Sequence, residues 1–458
     1  MSETTLDPGA VAAFRDGFAG EVVLPGDDGY AQARLVWNAA VDRYPAAVVR
    51  PTGVEDAAAA VRFGREQDLV IAVRCGGHSM GGFSTCDGGI VIDLSAMRGV
   101  TVDPEARTAT VLGGSLLGDL DREAQRFGLA CPVGVVSHTG VGGLTLGGGM
   151  GRLQRKHGFS VDNMLAVKVL TADGRLVRAS EEENPDLFWG VRGAGPNFGI
   201  VTSFDFRLHP IGPQVTQGWV AYPVDRAHDL AARFREFVAT GPDDVFASFA
   251  LARAGADGPW ADLAGQVVVV LGAAHFGSAE EAERDLRPLR DGGAALDSIE
   301  PKTYLRMQGA DDETFAWGKR FYMKGGFLDE LTDGFLDQAL DHMSRAPGEV
   351  SVGLWTQGGA IARVPEEAMA FTGRSAAFWV GVEAQWTDPE RDAEFVAWSR
   401  AAWDDLKPFT TAGHYVNDLV EAGGARAAYG DAKYERLVAL KRAYDPDNVF
   451  RLNQNIKP

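Results

Sequence analysis

Cysteine is scarce in this chain: only Cys75, Cys86 and Cys131 occur. An odd, low count argues against a disulfide framework, and no pair has metal-ligand spacing. Each reads as a buried thiol. Also missing is an apolar run of the ~18 residues that a membrane-spanning helix needs. No dense Lys/Arg run occurs, and 63 acidic against 44 basic residues leave a net charge of −19. That charge argues against nucleic acid and anionic membrane as partners. The opening MSETTLDPGA has neither a basic-then-apolar leader nor a twin arginine, so a cytoplasmic protein is expected. No internal repeat is visible.

Glycine is abundant, at 57 residues, and it clusters. With 458 residues, 45% hydrophobic and 23% charged, the chain fits a soluble globular protein of two large domains or three smaller ones. EDAAAAVRFGREQDL, from Glu55, reads as a helix leading into the strand VIAVR, Val70 to Arg74. GGIVIDL, from Gly88, reads as the next strand, which makes an α/β unit near the N-terminus. RTATVLGG reads as a strand and SLLGDLDREAQRFG as a helix stopping at Gly128. VDNMLAVKVLTADGRLVRAS reads as a β-hairpin, and NFGIVTSFDFRLHP as an alternating strand. After about Pro210 the glycine-rich turns stop. Strand-like runs then alternate with acidic amphipathic helices such as SAEEAERDLRPL, as in a helix-covered antiparallel sheet.

Two glycine-rich segments follow strands. RCGGHSMGGFS, Arg74 to Ser84, sets one histidine among four glycines, and Cys131 to Gly151 holds eight glycines. The second is too apolar for a flexible linker. Both are suited to approach one ligand, and a phosphate-bearing cofactor is the natural candidate, because bare backbone N–H groups form anion-binding concavities without basic side chains. The familiar fingerprints fail. There is no G-x-x-x-x-G-K-[ST], since Gly318-Lys319 is followed by arginine. GVGGLTLGGG places Thr145 where a dinucleotide fold needs its third glycine. No G-x-S-x-G occurs.

Five motifs in order carry a resemblance: R-C-G-G-H-S-x-x-G; V-S-H-T-G-V-G-G-L-T-L-G-G-G-M-G-R-L-x-R-K-H-G; D-N-M-L; P-D-L-F-W-G-V-R-G-A-G-P-N-F-G-I-V-T; and Y-D-P-D-N-V-F-R-L-N-Q-N-I. Together they resemble the berberine bridge enzyme-like FAD-linked oxidases of the vanillyl-alcohol oxidase, or PCMH-type, superfamily. The match is dense over residues 70–210 and 410–458. It implies an α+β fold. A PCMH-type FAD-binding domain of two α/β subdomains, residues 1–210 and 411–458, is completed by the C-terminal tail. A substrate domain, residues 211–410, has an antiparallel sheet covered by helices.

The implied activity is oxidation of a small organic alcohol or amine by hydride transfer to covalently bound FAD, with O2 reoxidising the flavin to H2O2. A dehydrogenase or oxidative cyclase using the same hydride step, or a flavin-binding protein without turnover, remains the alternative. The resemblance makes His78 the 8α tether, in a loop where Arg74, Cys75, Gly76, Gly77, Ser79 and Gly82 also meet the cofactor; a noncovalent contact at His78 is the bland reading. Many relatives have a second, cysteinyl tether. Aligning GVGG puts Val136 at that position, so a single link is expected unless a longer loop lets Cys131 reach. Ser137 and Thr139 fall beside the flavin, Thr139 where relatives place the branched residue that gates oxygen. Gly142, Gly143, Leu144, Gly148 and Gly149 are expected along the pyrophosphate and adenosine. Asn163 and Gly199-Ile200-Val201 are expected at adenine or ribose, and Asn453 at the isoalloxazine. His138 and His157 read as structural.

For the general base, Tyr415 in H-Y-V-N comes first, provided its environment lowers its pKa. Glu383 comes second, on a strand face shared with Trp379, Gly381 and Gln385. Its bland reading is an ion pair with the helical layer, as a substrate-positioning tyrosine is for Tyr415.

Overall fold

The computed structural model describes residues 6–255, 261–411, 413–421 and 423–458. Near the N-terminus, Ile71–Arg74 and Ala47–Arg50 flank Ile90–Asp93 as parallel neighbours, and Glu21–Val23 pairs antiparallel on the outer edge. Parallel strands need a crossover. Helix Val54–Glu66 supplies it, turning Ala57, Ala60, Val61 and Phe63 into the core beneath the sheet. Ile90–Asp93 is buried along its whole length, which fits its run of Ile and Val.

A second layer is antiparallel throughout, in the order Val100–Asp103, Thr108–Leu112, Ile200–Arg207, Met164–Leu170, Leu176–Ser180. Its last pair is the hairpin expected from VDNMLAVKVLTADGRLVRAS. Helix Leu117–Gln125 ends three residues short of Gly128, which has φ 66°.

Beyond Pro210, eight strands among the described residues form one antiparallel sheet. One face packs against helices Ala227–Thr240, Ala279–Arg290, Asp333–Ser344 and Asp392–Leu406 through Val, Leu and Phe. The acidic helix Ala279–Arg290 starts as its sequence suggests, with Ser278 and Glu281 capping each other reciprocally. Strand register sets the other face. Phe327, Trp379 and Trp355 form one row; Gly325, Gly381 and Gly353 the next; Met323, Glu383 and Ser351 the third. Met323, Phe327 and Trp379 join the same core as Met150, Phe371 and Tyr415, so this face rests on the glycine-rich layers.

Helix Asp431–Tyr444 lies against Pro185–Ala194 and sends the tail back across the first layers. No helix among the described residues is long and apolar enough to cross a membrane.

Candidate functional site

The two glycine-rich segments meet each other before they meet anything else. A Cβ on Gly76 would overlap the backbone nitrogen of Gly140, and a Cβ on Gly140 would overlap that of Gly76. Bare backbone is required here for chain-to-chain contact. The second segment is fastened from behind, by Leu117 N–H to Thr139 O and Val141 N–H to Ser115 O, both 2.9 Å.

His78 stands at this junction. Its ring stacks on Trp37 at 4.6 Å between centroids, and Trp37 stacks on Phe321 at 4.2 Å. Its Nε2 lies 2.8 Å from Nδ1 of His138, and its Nδ1 lies 3.3 Å from the Thr139 hydroxyl. Burial, with the neighbouring His138, holds its pKa down at about 3, so the imidazole is neutral at ordinary pH. His138, expected to be structural, is therefore the hydrogen-bond partner of the expected tether. His157 stacks on His209 at 3.8 Å, away from the cavity.

A cavity opens beside His78. Of the residues expected to hold a cofactor, Cys75, Gly76, Gly77, His78, Ser79, Thr139, Gly142, Gly143, Leu144, Gly199, Ile200, Val201 and Asn453 line it. Three buried polar atoms on its wall have no protein partner among the described residues: Ser84 Oγ, Asn453 Oδ1 and Gln454 Oε1. Buried polar atoms are seldom left unpaired, so they suit a polar ligand. A Cβ on Gly143 would meet nothing within 4 Å. An elongated cofactor with apolar and polar parts, such as FAD, fits this wall.

Six expected residues lie elsewhere, each for a visible reason. Arg74 is turned back onto Asp93 at 2.8 Å and the Ala33 and Leu35 carbonyls. Gly82 backs onto Val41, and Ser137 is taken by Asp312 through both its N–H and its hydroxyl. Gly148 packs under Phe371 and Tyr415, and Gly149 against Ser160. Asn163 donates to the His157 and Phe159 carbonyls and contacts His209. Conversely, Gly140, Gly147, Pro196, Asn197, Leu419 and Gln454 line the cavity without having been expected there. G-P-N and N-Q-N were visible as motifs. That Asn197 receives Ile456 N–H at 2.9 Å, and so joins them, is a tertiary fact.

The two candidate bases sit in different surroundings. The Tyr415 hydroxyl accepts from Gly149 N–H at 3.1 Å, Met150 N–H at 3.4 Å and Asn417 Nδ2 at 2.8 Å. Burial pushes its pKa up to about 12, opposite to what a base requires. It anchors the GGGMG turn, while its neighbour Asn417 lines the cavity. Glu383 has its carboxyl pushed up to about 7, by burial first and then by Asp311. Next to it electrically is Asp418, at about 8 through burial. Asp418 receives the Trp379 indole N–H at 2.6 Å and sits between cavity residues Asn417 and Leu419. Asp418 has no signal in the sequence beyond its position after H-Y-V-N. Cys131 is fully buried, donates to Pro132 O and does not line the cavity; Cys75 does.

Residues 45–180 match the family described as FAD binding domain, and residues 415–457 the family described as berberine and berberine like. The chain is 32% identical to (R)-6-hydroxynicotine oxidase of Paenarthrobacter nicotinovorans, over 96% of this chain and 97% of that protein. It is 30% identical to an FAD-linked oxidoreductase of Dictyostelium discoideum, over 98% and 97%. The solved structure of 6-hydroxy-D-nicotine oxidase from Arthrobacter nicotinovorans superposes with a TM-score of 0.87, at 29% identity over 96% of this chain and 98% of that one.

Proposed function

From the premise that the chain belongs to the berberine-like FAD-linked oxidoreductases, we propose that it is an oxidase of a small organic alcohol or amine. Its FAD is joined covalently through His78 alone, and O2 is reduced to H2O2. One observation carries the reading: a neutral, clamped imidazole at the edge of a cavity whose wall offers three unpaired polar atoms. When bound, the isoalloxazine ring supplies the hydride acceptor.

The chain's own residues do the rest. Ser84, Asn453 and Gln454 offer hydrogen bonds to the polar parts of the cofactor. Glu383, with a carboxyl that titrates near neutrality, takes the proton from the substrate's O–H or N–H. Asp418 holds Trp379 in place beside it. Tyr415 keeps the glycine turn and Asn417 in register. In this reading residues 1–210 and 411–458 hold FAD, and residues 211–410 shape the substrate's seat. The partners are a small organic molecule and O2, with neither nucleic acid nor membrane, in the cytoplasm. That relatives are named oxidases supports oxygen as the acceptor.

Flavin fluorescence on a denaturing gel tests the tether. It is expected in the wild type and in Cys131→Ser, and to be lost in His78→Ala. Flavin on the Cys131 peptide would overturn the single link. Steady peroxide release with an alcohol and amine panel tests turnover. Anaerobic bleaching of the flavin without peroxide on admitting air would replace the oxidase by a dehydrogenase.

A further inference from the structure

The described residues enclose a second cavity, of about 380 Å³, which the chemistry above leaves unused. Among them Tyr429 alone lines both cavities, so there the partition is a single residue thick. Tyr429 is buried, and its hydroxyl donates at 2.9 Å to the carbonyl of Gly193, on the cofactor side. It ends the five-residue helix Ala425–Tyr429, which lies between Gly423 at φ 98° and Gly430 at φ 73°. Two glycines in the left-handed region let this short helix tilt and carry Tyr429 with it.

The wall of the second cavity is largely apolar, with Ala362, Val364, Pro365, Ala427 and Ala428 on it. Three of its polar side chains are already engaged. Thr372 donates its hydroxyl to Ala428 O at 2.8 Å. Glu366 accepts from the Lys433 ammonium at 3.0 Å and from Arg374 N–H at 3.2 Å. Arg374 turns its guanidinium onto Asp162 at 2.6 Å. A guest there finds contact surface and few free side-chain hydrogen-bonding groups, which suits a small apolar molecule. Glu383, read above as the base, lines neither cavity, so a substrate seated on it leaves this side open.

We propose that the second cavity gathers dioxygen and passes it to the flavin by way of Tyr429, which acts as the gate. The inference rests on the oxidase reading above. The overall chemistry is that of the reading: two electrons and two protons pass to O2 and give H2O2.

The test needs no substrate. Full-length FAD-loaded protein is photoreduced without air and mixed with oxygenated buffer, and flavin absorbance is followed. Ala362→Trp sets an indole into the second cavity from an exposed position that is not on the cofactor's wall. It is expected to keep the wild-type flavin spectrum and to reoxidise at least ~10-fold more slowly. Tyr429→Phe loses the tie to Gly193 O and is expected to reoxidise faster than wild type. Ala362→Trp at the wild-type rate would overturn the passage, and Tyr429→Phe at or below that rate would overturn the gate. Xenon enters apolar cavities, so xenon-pressurised crystals read the route without turnover and without a variant that must fold. Xenon beside Tyr429 supports the passage, and none there in the wild type overturns it. Wild-type protein that stays reduced in air would sink the oxidase reading itself, a separate failure.

Discussion

Lys441 and Asp445 are both fully buried, one helical turn apart, and 2.7 Å from nitrogen to oxygen. The ammonium also donates to Asn197 O and Phe450 O, each at 2.9 Å. The carboxylate accepts from Val449 N–H at 2.8 Å and Phe450 N–H at 2.9 Å. The pair thus ties the last helix to the tail and to the Asn197 wall of the cavity. Lys441→Met fills similar space but strands a buried carboxylate and two carbonyls. Breaking one half of a buried pair costs about 3–5 kcal/mol. At 1.4 kcal/mol per tenfold, 4 kcal/mol is about a thousandfold in the local opening equilibrium. Hydrogen exchange at Val449 and Phe450 should accelerate by that order, and urea unfolding of the FAD-loaded protein should shift to lower midpoint. Adding Asp445→Asn removes the stranded charge and should recover about 2 kcal/mol. A Lys441→Met protein within ~1 kcal/mol of wild type, or a double variant no better than the single, would refute the reasoning.

The other predictions concern the site. Glu383→Gln should slow anaerobic flavin reduction ~10²–10⁴-fold, with a substrate found by a bleaching screen. The wild-type rate should rise with pH through about 7, where Glu383 loses its proton and becomes a base, and the variant should lack that limb; an unchanged profile removes Glu383 from the chemistry. Tyr415→Phe deprives Gly149 N–H, Met150 N–H and Asn417 of an acceptor. It should cost about 1–3 kcal/mol in stability while slowing flavin reduction far less than Glu383→Gln does; the reverse order in stopped-flow traces would restore Tyr415 as the base. Gly140→Ala must push the two glycine segments apart, at about 1–3 kcal/mol, and should lower FAD retention on gel filtration; full retention would mean that the segments can separate freely.

Much of the architecture was legible because it is written in local periodicity. Alternation marked Ile200–Arg207 and Phe378–Trp386, and the latter's Glu383 could be assigned a face before any fold was known. Glycines that line the cavity were legible too, with a twist in the reason. Gly76 and Gly140 are bare because they touch each other, and both line the cavity. A motif can fix which residue stands at a position without fixing where its side chain points. Arg74 begins the histidine loop yet turns inward to Asp93. Tyr415 belongs to its motif, yet its hydroxyl serves the backbone of residues 149 and 150.

What could not be read is what depends on residues far apart in the chain. His138 and His78 are 60 residues apart, and no spacing rule connects them, so His138 looked structural until their rings met. Asn197 and Gln454 are 257 residues apart, and the Asn197 side chain donates to Gln454 O at 3.3 Å only because the tail returns. That return depends on Lys441 and Asp445, and the first D in Y-D-P-D-N is Asp445 itself. The motif most distant from His78 in the chain is therefore a fastening for the cavity's far wall. The tail and the histidine loop are then parts of one site, built by a buried charge pair at one end and two bare glycines at the other.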